Sequence, residues 1–178
     1  SLMVYTFSDS VAAFGSPSRD KTAGRRAVVR TRAKGDTALY DALIRVIRDM
    51  SALQGKKVIA VFTDGDDNTS SLGAENVIRR AKAAGIPIYT IAQGTALANP
   101  ALPKLLAEIS NGTGGLPFSI REPKEIQQVF DAVAKDLAHG YLLTVAPASE
   151  GKSSWRSLGV KLPNKPGYKV RAREGYYP

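Results

Sequence analysis

Two nearly continuous apolar runs constrain the fold of this chain more than any other feature. They are KVIAVFT at residues 57–63 and IPIYTIAQ at residues 86–93, and segments with helical spacing precede, separate and follow them. Strands that are apolar at almost every position are typical of parallel sheets covered by helices on both faces. The alternation therefore predicts an α/β fold with a Rossmann-like, doubly wound, mostly parallel sheet.

The helical segments are recognised by their apolar spacing and by their ends. In residues 35–55 one stripe recurs at helical intervals and consists of Leu39, Leu43, Val46, Ile47, Met50 and Leu53. A second helix is expected at residues 73–84, with Ser70 or Ser71 as its cap and Gly85 past its end. Residues 100–112 and 122–140 predict two more helices, with a short strand at 116–120 between them.

The amino-terminal part predicts two antiparallel strands without a helix between them. Residues 2–7 form a short apolar run, and residues 8–26 are rich in Ser, Gly, Pro and charge, which is typical of a loop. Residues 27–33, AVVRTRA, alternate near their end and predict a half-exposed strand. Two strands joined by a loop are expected to be antiparallel neighbours.

After Gly140 the alternation of predicted strands and helices ends. Residues 141–147, 155–163 and 168–177 are three strand-like runs joined by turns. They predict an antiparallel β extension at residues 141–178, packed on an α/β domain at residues 1–140. Its aromatic residues are expected to form a small core that docks it: Tyr141, Trp155, Tyr168, Tyr176 and Tyr177.

Composition excludes several classes of site. The 178 residues contain no cysteine, which removes disulfides, thiol nucleophiles and zinc–thiolate centres, and no apolar run has the length of a transmembrane segment. No signal peptide is recognisable at the start. The net charge is +9, and the excess is concentrated at residues 19–34 and 161–173. We expect these basic zones to be solvated, and without interleaved aromatics a nucleic-acid site is disfavoured.

The stretch VIAVFTDGDDNTS at residues 58–70 brings an apolar strand to an end in three carboxylates. Ligands of open parallel sheets bind outside the carboxyl ends of the strands, and Asp64 follows directly after such an end. Thr37 opens the helix before this strand, so its loop is expected at the same edge. A hydroxyl and a carboxylate are hard oxygen ligands and suit Mg²⁺.

These residues also carry a family resemblance that runs from about residue 3 to the end. GDTALYDAL, then VIAVFTDGDDNTS, then IPIYTIAQG resemble a von Willebrand factor type A domain. The whole pattern, with FDAVAKDLAHGYLLTVAP, WRSLGVKL and VRAREGYY, is most similar to the bacterial, acidobacterial von Willebrand factor A-related domains.

The resemblance implies a non-enzymatic protein-interaction module with a metal-ion-dependent adhesion site. In such sites a cation (Mg²⁺, Mn²⁺ or Ca²⁺) completes its coordination with an acidic residue of the partner. The resemblance assigns the second-loop Thr to Thr37 and the third-loop Asp to Asp64. The first loop, Asp-x-Ser-x-Ser, has no counterpart here, since FSDSVAAF at residues 7–14 corresponds to the second strand of the family. The implied site is therefore incomplete.

The missing first strand would leave a gap in the sheet. We expect the gap to close either by inward movement of the strand at residues 3–7 or by strand exchange in a homodimer. Family members are often exported, which implies the cell envelope or exterior.

Several other interpretations compete for the same residues. Asp36 or Thr37 could cap the helix that follows, and Asp66, Asp67 and Asn68 are expected to serve as turn and cap residues. The spacing of an EF-hand calcium loop also fits, but its sixth position is Thr69 instead of Gly and a strand precedes it. The residues at that spacing are Asp64, Asp66, Asn68, Ser70 and Glu75.

Two further functions compete with the adhesion module. One is a metal-free scaffold that binds an anionic partner through its basic face. The other is a Mg²⁺-dependent hydrolase or phosphotransferase using Asp64 and Asp66, for which no further motif exists. His139, the single histidine, is expected at a helix C-terminus, and Gly114-Gly115 predicts a turn because no Lys-Ser/Thr follows it.

Overall fold

The computed structural model describes residues 1–32, 35–141, 154–163, 167, 170–172 and 175–176. The elements in chain order are β1 (Leu2–Phe7), β2 (Val11–Ser18), α1 (Lys21–Arg30), α2 (Leu39–Ser51), β3 (Ile59–Thr63), α3 (Ala74–Ala84), β4 (Ile88–Gln93), α4 (Ala101–Thr113), β5 (Pro117–Ile120), α5 (Ile126–Ala138), β6 (Arg156–Ser157) and β7 (Gly175–Tyr176). Short 3₁₀ helices lie at Gly94–Leu97 and Pro123–Glu125.

A parallel sheet of order β3-β4-β5 is the centre of the fold. Ile59 to Thr63 pair in register with Ile88 to Ala92, and Thr90 to Gln93 pair with Pro117 to Ile120. Helices connect successive strands, as parallel neighbours require. The α/β, Rossmann-like architecture predicted from the alternating pattern is confirmed.

The sheet separates two apolar clusters. Ile59, Val61 and Ile88 face the larger cluster, which α2, α3 and α4 complete, while Tyr89 and Ile91 face the smaller cluster with α5. The strand β4 is therefore buried on both faces, as predicted.

The strand β3 departs from that expectation. Ile59 and Val61 are buried, but Ala60 on the opposite face is exposed and Phe62 is half-buried against Phe130, with 5.8 Å between their ring centroids. The helix that packs on this face is α5, through Val129 and Val133, and Ala60 does not belong to its apolar cluster.

Helix ends follow the sequence signals in part. Gly85 ends α3 in the left-handed conformation at φ 64°, and its N–H bonds to the carbonyls of Ala81 and Lys82. The predicted serine cap of this helix is wrong, because Gly73 occupies the N-cap position without a side-chain hydrogen bond. Ser70 and Ser71 instead contact the start of α2.

The amino-terminal prediction is wrong beyond β1. Residues 11–18 form the strand that pairs antiparallel with β1, and most of the segment expected as the second strand belongs to α1. Asp20 starts this helix, since its carboxylate accepts the N–H of Thr22 at 2.8 Å. Gly24 then allows close approach, because a Cβ there would lie 3.1 Å from the side chains of Leu2 and Val4.

The pair β1-β2 remains a separate two-stranded sheet. It does not move inward to pair with β3, so that expectation is also wrong. Tyr5 and Phe7 instead pack on the larger cluster, and the Tyr5 hydroxyl bonds to Asp49 on α2 at 3.2 Å. Within the described residues, β3 consequently has a strand partner on one edge only.

The carboxyl-terminal segment contributes the antiparallel pair β6-β7. Residues 142–147 of the first predicted strand lie outside the described residues. The second predicted strand is reduced to Arg156–Ser157, and in the described part of the third Gly175–Tyr176 form a strand. Gly175 packs against the indole of Trp155. No helix in the described part of the chain has the length and apolarity to cross a bilayer.

Arg171 attaches this segment to the parallel-sheet unit. Its guanidinium forms a salt bridge with Asp136 on α5 and bonds to the carbonyl of Gly115 at 3.4 Å. The other carboxylate oxygen of Asp136 accepts the hydroxyl of Tyr89 at 2.7 Å. Burial raises the pKa of Tyr89, and the nearby guanidinium only partly offsets this.

Candidate functional site

Four loops meet where the parallel strands end. The N–H of Ala38, before α2, bonds to the carbonyl of Ser8 after β1 at 2.9 Å, and the N–H of Asp36 bonds to the carboxylate of Asp9. The loop after β3 joins them through the carbonyl of Thr37, which accepts the N–H of Asn68 at 3.1 Å. The edge therefore gathers residues from three separate parts of the chain.

The fourth loop precedes α4. The side-chain nitrogen of Asn99 donates a hydrogen bond to the Asp66 carboxylate at 2.8 Å. The side-chain oxygen of Asn99 accepts the N–H of Ala101 at 3.0 Å. Sequence reasoning missed Asn99 and Asp9 as members of this edge. The available signal for both was a polar residue shortly after an apolar strand, at residues 8–9 and 94–99.

Thr37 lies where sequence reasoning expected it, against the loop after β3. It is half-buried, and its N–H bonds to the side-chain oxygen of Asn68 at 2.8 Å. A Cβ on Gly65 would lie 3.9 Å from its hydroxyl oxygen. The hydroxyl therefore lies beside the turn that follows Asp64.

Asp64 is the first residue past the last paired position of β3. Its side chain is exposed, and a Cβ on Gly94 would lie 3.6 Å from its Cβ. The residue thus lies between the turn near Thr37 and the loop after β4. This position is the crevice outside the carboxyl ends of two neighbouring strands.

The start of α2 is capped from a distance. Ala38 occupies the N-cap without a side-chain hydrogen bond, so the expected cap by Asp36 or Thr37 is wrong. The N–H of Tyr40 bonds to the Asp67 carboxylate at 2.9 Å, and the N–H of Asp41 bonds to the Ser70 hydroxyl at 3.0 Å. The prediction that Asp67 is a cap residue is correct, but the helix it caps precedes it.

Hydrogen bonds between α2 and the loop after β3 run in both directions. The carboxylate of Asp41 accepts the N–H of Ser71 at 2.9 Å, and Asp67 also accepts the N–H of Ser70 at 2.9 Å. These bonds satisfy backbone donors of both the helix and the loop. They hold the loop after β3 rigidly against α2.

The loop creates a negative field at this edge. The pKa of Tyr40 is raised, first by burial and then by the carboxylates of Asp67, Asp66 and Glu75. A cation is the ligand that such a field favours.

The calcium-loop interpretation does not agree with these contacts. Asn68 and Ser70 would be ligands in that loop, yet the Asn68 side-chain oxygen is bonded to Thr37 and the Ser70 hydroxyl to Asp41 and Asp67. Over the described ranges, no three His, Cys, Asp or Glu side chains converge as a metal-binding group. Thr37 and Asp64 thus offer hard oxygen donors that need further ligands from elsewhere.

The remaining candidates have structural roles. His139 is the C-cap of α5, with its Nδ1 2.6 Å from the carbonyl oxygen of Lys135, as expected for a helix-terminal residue. Gly114 ends α4 at φ 87°, and Gly115 packs directly on the Ile88 backbone. The prediction of a turn at this pair is confirmed.

Comparison with known families decides the classification. The sequence profile of the von Willebrand factor type A domain matches residues 2–132. The chain belongs to the von Willebrand factor type A family. The match ends within α5, so it covers the parallel sheet and every loop of the candidate site in this von Willebrand factor type A domain.

One solved structure agrees with the fold of the von Willebrand factor type A domain. The conserved hypothetical protein BatB from Bacteroides thetaiotaomicron superposes with a TM-score of 0.59 at 16% identity, covering 78% of this chain and 79% of that chain. An uncharacterised membrane-spanning protein from Vibrio fischeri matches at 18% identity, over 78% of this chain and 76% of that chain, with a TM-score of only 0.41. No curated protein matches the sequence significantly. The likeness to BatB concerns the fold alone.

Proposed function

We propose that this chain is a non-enzymatic, adhesion-type interaction module that engages a protein partner at the carboxyl edge of its parallel sheet. The family assignment carries the coarse statement, because von Willebrand factor type A domains typically act as interaction modules. The finer statement is that a divalent cation, Mg²⁺ in the first place and Mn²⁺ or Ca²⁺ otherwise, joins the two proteins. Thr37 and Asp64 are its ligands from this chain.

The observation that carries the proposal is the proximity of the Thr37 hydroxyl to the turn after Asp64. Both side chains are hard oxygen donors at a strand-end crevice, and the surrounding carboxylates favour a cation. The loop is fixed by its bonds to α2, so its ligands need little reorganisation when a cation binds.

With only Thr37 and Asp64 supplied by this chain, most ligands of the proposed cation have to come from water or from the partner. Mg²⁺ ordinarily keeps several waters and takes one or two carboxylates, so a partner's acidic side chain fits the remaining position. The proposed site is therefore weak in this chain alone and completed by the partner.

The test is a calorimetric titration of chelator-stripped protein with Mg²⁺ and with Mn²⁺. We expect weak binding that is lost in Asp64→Ala and reduced in Thr37→Ala. Asp131→Ala is the matched control, since Asp131 is an exposed carboxylate on α5, on a different element from Thr37 and Asp64, and accepts a hydrogen bond from Gln127. Equal binding by Asp64→Ala and the wild type, or no binding at millimolar metal, contradicts the proposal for this chain.

A second candidate function is a metal-free scaffold that binds an anionic partner through its basic face. The exposed basic residues of α1 and its flanks favour it. Binding by this face should fall steeply as salt is added and should not respond to chelator. Binding that depends on the cation should be abolished by chelator and should respond less to salt.

A homodimer by strand exchange is the proposed self-association. Its support is the edge of β3, which has no strand partner among the described residues and contains neither Lys nor Pro to protect it. Light scattering over a range of concentrations tests it: a dimer mass supports strand exchange, and a monomer at all concentrations eliminates it.

A further inference from the structure

One surface of this chain combines dense positive charge with exposed apolar side chains. Residues 19–32 contain six basic side chains and one acid, and all six are exposed: Arg19, Lys21, Arg25, Arg26, Arg30 and Arg32. The acid, Asp20, is engaged as the cap of α1. None of the six forms a salt bridge with an acid in the described part of the chain.

The helix exposes valine among these charges. Ala27 is buried, but Val28 is 60% and Val29 is 73% exposed. Two residues correspond to about 200° around a helix, so Val29 lies nearly opposite the buried Ala27. Arg25 and Arg26 lie one turn before Val29 on the same outward face.

The sheet beneath α1 adds apolar surface at its margin. Leu2 lies beside Gly24 of the helix and is 47% exposed. Phe14 pairs across the strands with Val4, which also contacts Gly24, and Phe14 is 39% exposed. Exposed apolar side chains thus lie next to α1 as well as on it.

The chemistry of this surface selects its partner. Long arginine side chains that surround apolar groups match a layer in which anionic headgroups cover hydrocarbon. A single-stranded nucleic acid would call for several aromatic stacking platforms, whereas α1 carries no aromatic residue and Phe14 is the one aromatic side chain assigned to this surface.

We propose that this surface of α1, with the adjoining Leu2 and Phe14, docks onto a bilayer rich in anionic phospholipid. The inference rests on the second candidate function, binding of an anionic partner by the basic face, and gives that partner a chemical class. It does not depend on the cation site, because the surface uses α1, which packs on β1 and β2, and includes neither Thr37 nor Asp64.

The experiment is vesicle flotation with the full chain. Phosphatidylcholine vesicles with and without phosphatidylglycerol are compared at low and high salt. We expect binding only to the anionic vesicles and its loss at high salt. Arg25→Glu with Arg26→Glu should weaken binding at least about tenfold, because two charges attracted to the anionic surface become two that it repels.

A matched control and a second probe keep the result interpretable. Arg79→Glu with Arg80→Glu makes the same charge change on the exposed face of α3. This variant should bind anionic vesicles substantially more tightly than the variant with Arg25→Glu and Arg26→Glu. Val29→Trp should show a blue-shifted emission on anionic vesicles if the valine enters the apolar layer. Arg25→Gln with Arg26→Gln replaces the reversed pair if the reversal impairs folding, as judged by circular dichroism.

The outcomes separate the two levels of the proposal. Equal loss of binding in both double variants, or no binding to anionic vesicles, overturns the lipid assignment. If the protein then still binds heparin, and Arg25→Glu with Arg26→Glu abolishes this, the basic face binds anions but not a membrane. If it binds neither, the second candidate function fails as well.

Discussion

The carboxylate of Asp67 accepts the N–H of Tyr40 at 2.9 Å, although Asp67 lies after β3 and Tyr40 lies in the first turn of α2. The helix N-terminus thereby obtains a cap from a loop that comes 27 residues later in the chain. The same carboxylate bonds to Ser70 within its own loop. The acid-rich turn thus serves first to hold the fold together at the edge where the candidate ligands lie.

Replacing this cap should destabilise the protein. We expect Asp67→Ala to lower the free energy of unfolding by about 1–2 kcal/mol, the usual value of a capping side chain. Urea unfolding followed by circular dichroism measures the change. Asp131→Ala, which removes an exposed carboxylate of α5, should change the stability by less than about 0.5 kcal/mol. Equal effects of the two substitutions would show that Asp67 contributes nothing as a cap.

A buried hydroxyl pair fixes α4 against β4. Thr90 and Ser110 are both fully buried, their hydroxyl oxygens lie 2.8 Å apart, and the Thr90 hydroxyl also bonds to the carbonyl of Leu106. Thr90→Val and Ser110→Ala should each cost about 0.5–1.5 kcal/mol, because each removes a buried hydrogen bond while the remaining hydroxyl keeps a backbone partner. The double variant should cost less than the sum of the two in a thermal or urea unfolding cycle. Strict additivity would mean that the hydroxyls do not interact.

Gly115 should tolerate no side chain. A Cβ at this position would overlap the carbonyl group of Ile88 in β4. Gly115→Ala is expected to destabilise by at least about 2 kcal/mol, since backbone has to move to accommodate it. Gly159 is the control, because it is exposed and a Cβ there would meet nothing within 4 Å. A comparable melting temperature for Gly115→Ala and Gly159→Ala would contradict the close packing of β4 and β5.

Stability should decline at alkaline pH. Burial raises the pKa of Tyr5, Tyr40 and Tyr89 above the ordinary value of 10.0, and in Tyr5 and Tyr40 nearby carboxylates raise it further. A raised folded-state pKa gives stability that is complete below pH 10 and is lost as pH rises through the folded pKa. Urea unfolding at a series of pH values from neutral upward should show this loss.

The phenol hydroxyls are tested one at a time. Tyr40→Phe and Tyr89→Phe should each make the alkaline decline shallower, because the residue that ionises in the unfolded chain is gone. Absorbance near the phenolate band should also show fewer late-titrating tyrosines in each variant. An unchanged pH dependence in both variants would mean that Tyr40 and Tyr89 do not cause the decline.

The sequence indicated the parallel sheet correctly because each of its signals is local. The apolar run at residues 86–93 forms a strand buried on both faces, the run at 57–63 forms one buried on a single face, and α2 follows from a single stripe. The region of residues 11–30 failed for the opposite reason. Alternation of Val29 and Thr31 with arginines suggested a strand. Close contact of Gly24 with β1 and the burial of Ala27 stabilise a helix there, and no local pattern encodes that contact.

The candidate site was also predictable only in part. The rule that strand ends meet at one edge was sufficient to expect Thr37 near the turn after β3. The hydrogen bonds of that turn could not be deduced, since Asp67 and Asp41 bond to residues about thirty positions away. Asp36, the nearer and more conventional cap, bonds instead to Asp9 through its N–H.

The reciprocal bonds between α2 and the loop after β3 also divide this edge into positions that an engineer should keep and positions open to variation. Asp41, Asp67 and Ser70 form a fixed frame, and replacing any of them alters two segments at once. Thr37, Asp64, Asp66 and Asn99 are carried by that frame. A binding library that randomised these four and preserved the frame would diversify the recognition surface on a scaffold that still folds.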